Sequence, residues 1–215
     1  MEQYYTDEDL KEFYAYNPKA KKQKLISDFI KFLIIACVVC FFFSISVGFT
    51  EDFFKLVLFN SDNVFRYPWI LVTNVFFHAN ISHLLINCWA MFMFGSFLEF
   101  RKGSKFMIIL FFSSVIVSNI VFGLFNPGIS GLGISGFVYA ILGSVVIFEP
   151  NTRIFIFPLP IPLKISVIGP IFLIIELVLA FVGGDGIGHI AHAVGFIVGF
   201  IISKYQKGKD IYYYK

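Results

Sequence analysis

Six apolar segments recur along the 215 residues, at about 29–49, 72–98, 106–125, 131–148, 163–182 and 187–203. Each is long enough, or nearly so, to cross a bilayer as a helix, which takes about 20 predominantly apolar residues. The connections are short and leave no room for a sizeable soluble domain. Composition agrees: 58% of residues are hydrophobic and only 14% charged, against about 25% charged in soluble domains. A soluble enzyme, a disordered chain and a disulfide scaffold are thereby excluded. The net charge of +3 is too small to imply nucleic acid, and no such partner is expected. The pattern predicts an all-α membrane protein of six transmembrane helices. A polar segment at 1–28 precedes the bundle at 29–203, and a basic tail follows at 204–215.

The basic residues orient the bundle, because cytoplasmic connections retain Lys and Arg. With the N-terminus inside, 15 of the 17 Lys and Arg fall on the cytoplasmic side, and only Lys55 and Arg66 fall outside. Both termini are then cytoplasmic, and a multi-pass protein of the cell membrane is expected. The N-terminal segment shows no apolar run before a small-residue cleavage site, so no cleavable signal peptide is expected. Residues 50–71 form the one long connection, on the outer side. Phe53, Phe54, Phe65, Tyr67 and Trp69 suit that segment to the outer interface, where aromatic rings are favoured.

Polar side chains at membrane depth are costly and therefore mark function by default. In the second segment His83 and Asn87 are four residues apart and share a helix face. His78 is offset from His83 by about 140° on the same helix, so the three need not converge. The fourth segment opens Gly131-Leu-Gly133-Ile-Ser135-Gly136. A serine at a helix start meets unpaired backbone N–H groups and the positive end of the helix dipole, an arrangement suited to an oxyanion. From Ser135 to Phe148 the helix spans only about 21 Å of a ~30 Å hydrocarbon core, which sets Ser135 several Å below the outer surface.

The sixth segment reads Ala191-His192-Ala-Val-Gly195-Phe-Ile-Val-Gly199. Its Gly195/Gly199 spacing allows backbone-to-backbone packing, and His192 lies roughly 7 Å down the helix, near the depth of Ser135. A serine, a histidine and a helix N-terminus at one depth are the parts of a nucleophile, a general base and an oxyanion site. Glu176 in the fifth segment is expected to be structural, and His189 to be solvated or interfacial. Cys37, Cys40 and Cys88 read as small buried thiols.

Three motifs in order, His78-x4-His83-x3-Asn87, Gly133-x-Ser135-Gly136 and Ala191-His192-x2-Gly195-x3-Gly199, resemble the rhomboid family of intramembrane serine proteases. Trp69, Thr73, Phe77, Gly95 and Glu99 add to the likeness, which covers about 69–200. The resemblance implies a six-helix rhomboid-like bundle, with Ser135 as nucleophile and His192 as base in a dyad without a carboxylate. It further implies an oxyanion site from His83, Asn87 and the Ser135 N–H, with His78 in support and Tyr139 stacked on His192. Gly133 and Gly136 match the motif, and Gly195 and Gly199 the packing face. Residues 50–71 would be a membrane-embedded first loop and the fifth span a mobile element. Ile70 departs from the pattern, where many members carry Arg.

The implied substrates are membrane proteins with a single, locally unstable transmembrane helix, approached from the surrounding lipid bilayer and cleaved at a water-fed cavity lined by His83, Asn87, Ser135 and His192. No cofactor and no metal are expected. HExxH is absent, Glu176 stands alone for an aspartyl-type mechanism, and a histidine site from His78, His83 and His192 lacks a completing ligand. The rival expectation is a noncatalytic rhomboid-like protein that binds client transmembrane helices. A transporter ranks lower, since the polar residues trace no path inward.

Overall fold

The computed structural model describes residues 28–48, 50–155, 161–184 and 186–213. The expected polar segment before residue 28 lies outside the described residues, as does Asp185. The remainder is built almost entirely from helices. Helix α1 is Asp28–Val47, α2 the short Glu51–Val57, and α3 Ile70–Thr73, which continues as a 3-10 turn over Asn74–Phe76. Next come α4, Ile81–Lys102 with a π-type turn at Met91–Gly95, then α5, Ser104–Phe125, and α6, Ser135–Phe148. A two-residue antiparallel pair, β1 Arg153–Ile154 with β2 Leu163–Lys164, leads into α7, Ile165–Val182, and α8 is His189–Tyr213.

Four of these helices, α1, α4, α5 and α7, are long and apolar enough to cross a membrane. Helix α6 is shorter, at 14 residues, and α8 runs on into the basic tail. One boundary departs from expectation. The second apolar segment is broken: the chain is non-helical from Phe77 to Asn80, and α4 begins only at Ile81. The preceding turn ends where Phe77 takes up extended backbone, and Asn80 starts the new helix, its side-chain oxygen accepting from the His83 N–H at 2.8 Å. Asn is among the strongest N-caps. His78 is therefore not on the helix that carries His83 and Asn87.

The core forms around α6, whose Phe137 and Ala140 are wholly buried, with Leu84, Met91, Leu110 and Phe196 closing on it from α4, α5 and α8. The outer faces of α1 and α7 stay apolar and exposed, including Phe32, Val39, Ile174 and Val178. Such faces are stable in hydrocarbon, where apolar side chains need no cover. Glu99, buried near the end of α4, accepts from the Phe29 and Ile30 N–H groups at 3.2 and 2.9 Å. It thereby satisfies donors that the first turn of α1 leaves open.

The 50–71 segment is held firmly. Trp69 Nε1 donates to the Leu56 carbonyl at 2.8 Å and Thr73 Oγ1 to the Val57 carbonyl at 3.1 Å. Ile70, the departure from the family pattern, is fully buried in a cluster with Phe59 and Phe122. An apolar contact thus anchors the loop at that position. Phe65 is almost wholly exposed, at 98%, as an interfacial aromatic would be.

Candidate active site

The site is assembled by the way α8 meets α6. A Cβ on Gly195 would overlap the Gly136 carbonyl oxygen, and one on Gly199 the Ala140 carbonyl oxygen, while one on Gly143 would overlap the Phe196 carbonyl. Only glycine permits this backbone contact from both sides. His192 lies one turn before Gly195 on the same helix, so the approach that requires the glycines also carries the imidazole to the start of α6. There His192 Nε2 lies 2.7 Å from Ser135 Oγ. Tyr139, one turn into α6, stacks on the His192 ring with centroids 4.6 Å apart and planes 9° from parallel. Stacking fixes the imidazole plane and leaves its in-plane nitrogens to hydrogen bonds.

The turn ahead of Ser135 needs an unusual backbone. Gly133 has φ +105°, a region that residues with a Cβ rarely adopt. A Cβ there would also strike the His83 ring, only 2.7 Å from Cε1. His83 of α4 is therefore laid over the residues that lead into Ser135. The turn is braced from behind: the Gly133 N–H donates to the Asn74 carbonyl at 3.1 Å, and Asn74 and Asn119 exchange side-chain hydrogen bonds at 3.1 and 2.9 Å. With α6 beginning at Ser135, its first-turn N–H groups point toward the serine.

The other expected residues are placed less directly. Asn87 is buried, and its Nδ2 donates to the His83 carbonyl within α4 at 2.9 Å. The same nitrogen carries a second hydrogen. His78 is buried beside His83, edge to face with ring centroids 5.0 Å apart. Ser135 and His83 are half-buried.

His189 is not where the sequence suggested, and Glu176 bonds to neighbouring helices through side chains of the site itself. His189, expected to be solvated or interfacial, is buried, and its Nδ1 lies 2.6 Å from Glu176 Oε2. Glu176, expected to be structural, reaches from α7 into the site: the same Oε2 lies 3.1 Å from His192 Nδ1, and Oε1 accepts from the Tyr139 hydroxyl. The physical reason is that α8 presents His189 and His192 on one face, three residues apart, and α7 packs against that face. A buried carboxylate is tolerated only when such donors satisfy it. Among the described residues, Glu176, His189 and His192 are also a group whose potential metal-ligand atoms lie within 4.8 Å of one another. Their separations of 2.6 and 3.1 Å are those of direct hydrogen bonds. The histidine set considered from sequence, His78 with His83 and His192, is not the one drawn together.

A signal for Glu176 did exist. Six residues separate it from Val182 at the end of its helix, which is about 9 Å of rise and close to the level estimated for His192.

Comparison with known proteins identifies the family. Residues 66–207 match the family model described as Rhomboid domain. The chain is similar to Rhomboid protease GlpG of Haemophilus influenzae, 28% identical over 193 residues that cover 83% of this chain and 93% of that protein. It is also similar to Rhomboid-like protease 3 of Toxoplasma gondii, 34% identical over 77 residues, 36% of this chain and 29% of that protein.

Proposed function

The chain belongs to the rhomboid family of membrane proteins, and from that premise we propose that it is a serine endopeptidase that cuts other membrane proteins in or near a transmembrane segment. The observation that carries the proposal is the 2.7 Å contact between His192 Nε2 and Ser135 Oγ at the first residue of α6. A hydroxyl is a weak nucleophile until a base within hydrogen-bond reach takes its proton.

In the proposed reaction Ser135 Oγ attacks the scissile carbonyl as its proton passes to His192 Nε2. The tetrahedral oxyanion forms against the first-turn N–H of Ser135, and His83 and Asn87 supply side-chain donors from α4. His192 then protonates the departing amine, and water hydrolyses the acyl-serine by the same route in reverse. Preorganised donors of this kind each contribute about 10²- to 10³-fold. His78 supports the His83 ring from behind.

In the same proposal six helices cross the cell membrane, α1, α4, α5, α6, α7 and α8, and both termini are cytoplasmic, as the 15 of 17 basic residues favour. The substrate is a single-span membrane protein whose helix unwinds readily near the cut, and it arrives through the bilayer. Purified protein in liposomes should cleave such a substrate. Ser135→Ala should leave almost no activity, and undiminished cleavage by that variant would sink the proposal.

A further inference from the structure

Glu176 is the one carboxylate in contact with His192 among the described residues, and it comes from a different helix. Oε2 lies between two imidazole Nδ1 atoms, 2.6 Å from that of His189 and 3.1 Å from that of His192, and Oε1 accepts from the Tyr139 hydroxyl. The two imidazole rings stand nearly perpendicular, at 86°, so both Nδ1 atoms address one oxygen without stacking on each other. An ionised carboxylate has no hydrogen to give and is an acceptor only. Each Nδ1 that faces it must then carry a proton. In neutral His192 that leaves Nε2 bare, and Nε2 is the atom that faces Ser135 Oγ at 2.7 Å.

We propose that Glu176 is a positioning residue for the serine–histidine pair, held by His189 and Tyr139, and that it fixes His192 in the tautomer whose Nε2 can accept the serine proton. This inference rests on the protease reading above. It changes the expected dyad into a chain of hydrogen bonds that runs from Ser135 through His192 to a carboxylate on α7. When Ser135 gives its Oγ proton to Nε2, the imidazolium so formed lies beside the Glu176 carboxylate. The Nδ1 proton stays on His192 throughout, and the Nε2 proton goes on to the leaving amine. This is the role of an orienting acid in serine hydrolases of other folds, filled here from a neighbouring membrane helix. His189 completes the arrangement: with two donors on Oε2 and one on Oε1, the carboxylate has a single orientation.

Two measurements test this. In the first, Glu176→Gln is compared with the intact protein in liposomes. The expected result is a fall in kcat on the order of 10²- to 10⁴-fold with KM changed by less than about threefold, since the residue acts on the chemical step rather than on substrate binding. A kcat within about threefold of the intact protein, or a loss carried by KM, would overturn the proposal. In the second, the intact protein is labelled with ¹⁵N-histidine. The chain has four histidines, and His192→Ala identifies the His192 signals. The expected spectrum shows His192 protonated on Nδ1 and bare on Nε2, and a ring protonated on Nε2 would overturn the proposal. This second measurement decides the matter if Glu176→Gln does not fold. It also separates the two ideas: absence of any Ser135-dependent cleavage defeats the protease reading, whereas the tautomer judges Glu176 alone.

Discussion

Helix α8 meets its two neighbours in opposite ways. Against α6 it packs backbone on backbone, with Gly195 and Gly199 lying where any Cβ would overlap a carbonyl oxygen. Against α7 the contact is made by side chains, through the Glu176 cluster and through the Phe196 ring of α8, which would lie 3.4 Å from a Cβ on Gly169. At its glycines the first interface has nothing that can adjust, and it sets the distance between His192 and Ser135. The second is built from groups that can rotate and re-form, and it sets the state of the imidazole rather than its place. Position is thus fixed by steric exclusion, and protonation by hydrogen bonds.

One substitution made at both interfaces breaks or supports this contrast, and the largest effect is expected at α6. Gly195→Ala sets a methyl group against the Gly136 carbonyl oxygen, and because both partners are helix backbone, the helices must separate. Overpacking of this kind costs about 3 kcal/mol when nothing can yield, and a shift of about 1 Å in a reacting group costs about 10²-fold in rate. Cleavage in liposomes should fall by at least that factor, together with a lower Tm in detergent. Full activity in Gly195→Ala would mean that the glycines do not set the catalytic distance.

The glycine interface was legible in the sequence because its signal is local. Gly195 and Gly199 lie one turn apart and His192 one turn before them, so helical periodicity alone fixes their common face. The 14-residue helix from Ser135 to Phe148 was legible for a similar reason, since its start and length follow from counting residues along the chain. The start of α4 and the surroundings of His189 were not read correctly. The capping role of Asn80 was available from residue type but was masked by the apolar residues on either side. The His189–Glu176 contact depends on the rotation of α7 about its axis, which tertiary packing decides and which no spacing within α8 can reveal. The anchoring of Ile70 belongs with these. Its burial depends on Phe59 and Phe122, 11 and 52 residues away, and the residue type alone gave only a departure from the family pattern.

A smaller effect is expected where a rotatable group carries the contact. Tyr139→Phe keeps the ring that stacks on His192 and removes only the hydroxyl that donates to Glu176 Oε1. A hydrogen bond of this kind is worth about 0.5 to 1.5 kcal/mol, so kcat should drop about three- to tenfold. The ¹⁵N signals of His192 should keep their Nδ1 proton, because Oε2 still has both imidazole donors. A drop as large as that of Glu176→Gln would show that the hydroxyl, and not the pair of histidines, orients the carboxylate.

The smallest effect should come from the same chemical change on α7, at Gly169, which faces Val146 of α6 and the Phe196 ring of α8. Gly169→Ala adds a methyl group at a point where the nearest atom, Val146 Cγ2, is a side-chain terminus. Val146 is stiff at χ1, so the local backbone must give, but it lies near the far end of α6 from Ser135 and outside the set of groups that touch Ser135 or His192. The expected cost is about 1 kcal/mol of stability, read as a Tm lowered by a few degrees, with cleavage within about twofold of the intact protein. The pair of variants isolates what stands opposite the new methyl group, since the residue added is identical at both sites. If Gly169→Ala proved as damaging to cleavage as Gly195→Ala, the α7 contact would also be setting the serine–histidine distance, and the division between placing the base and fixing its proton would not hold.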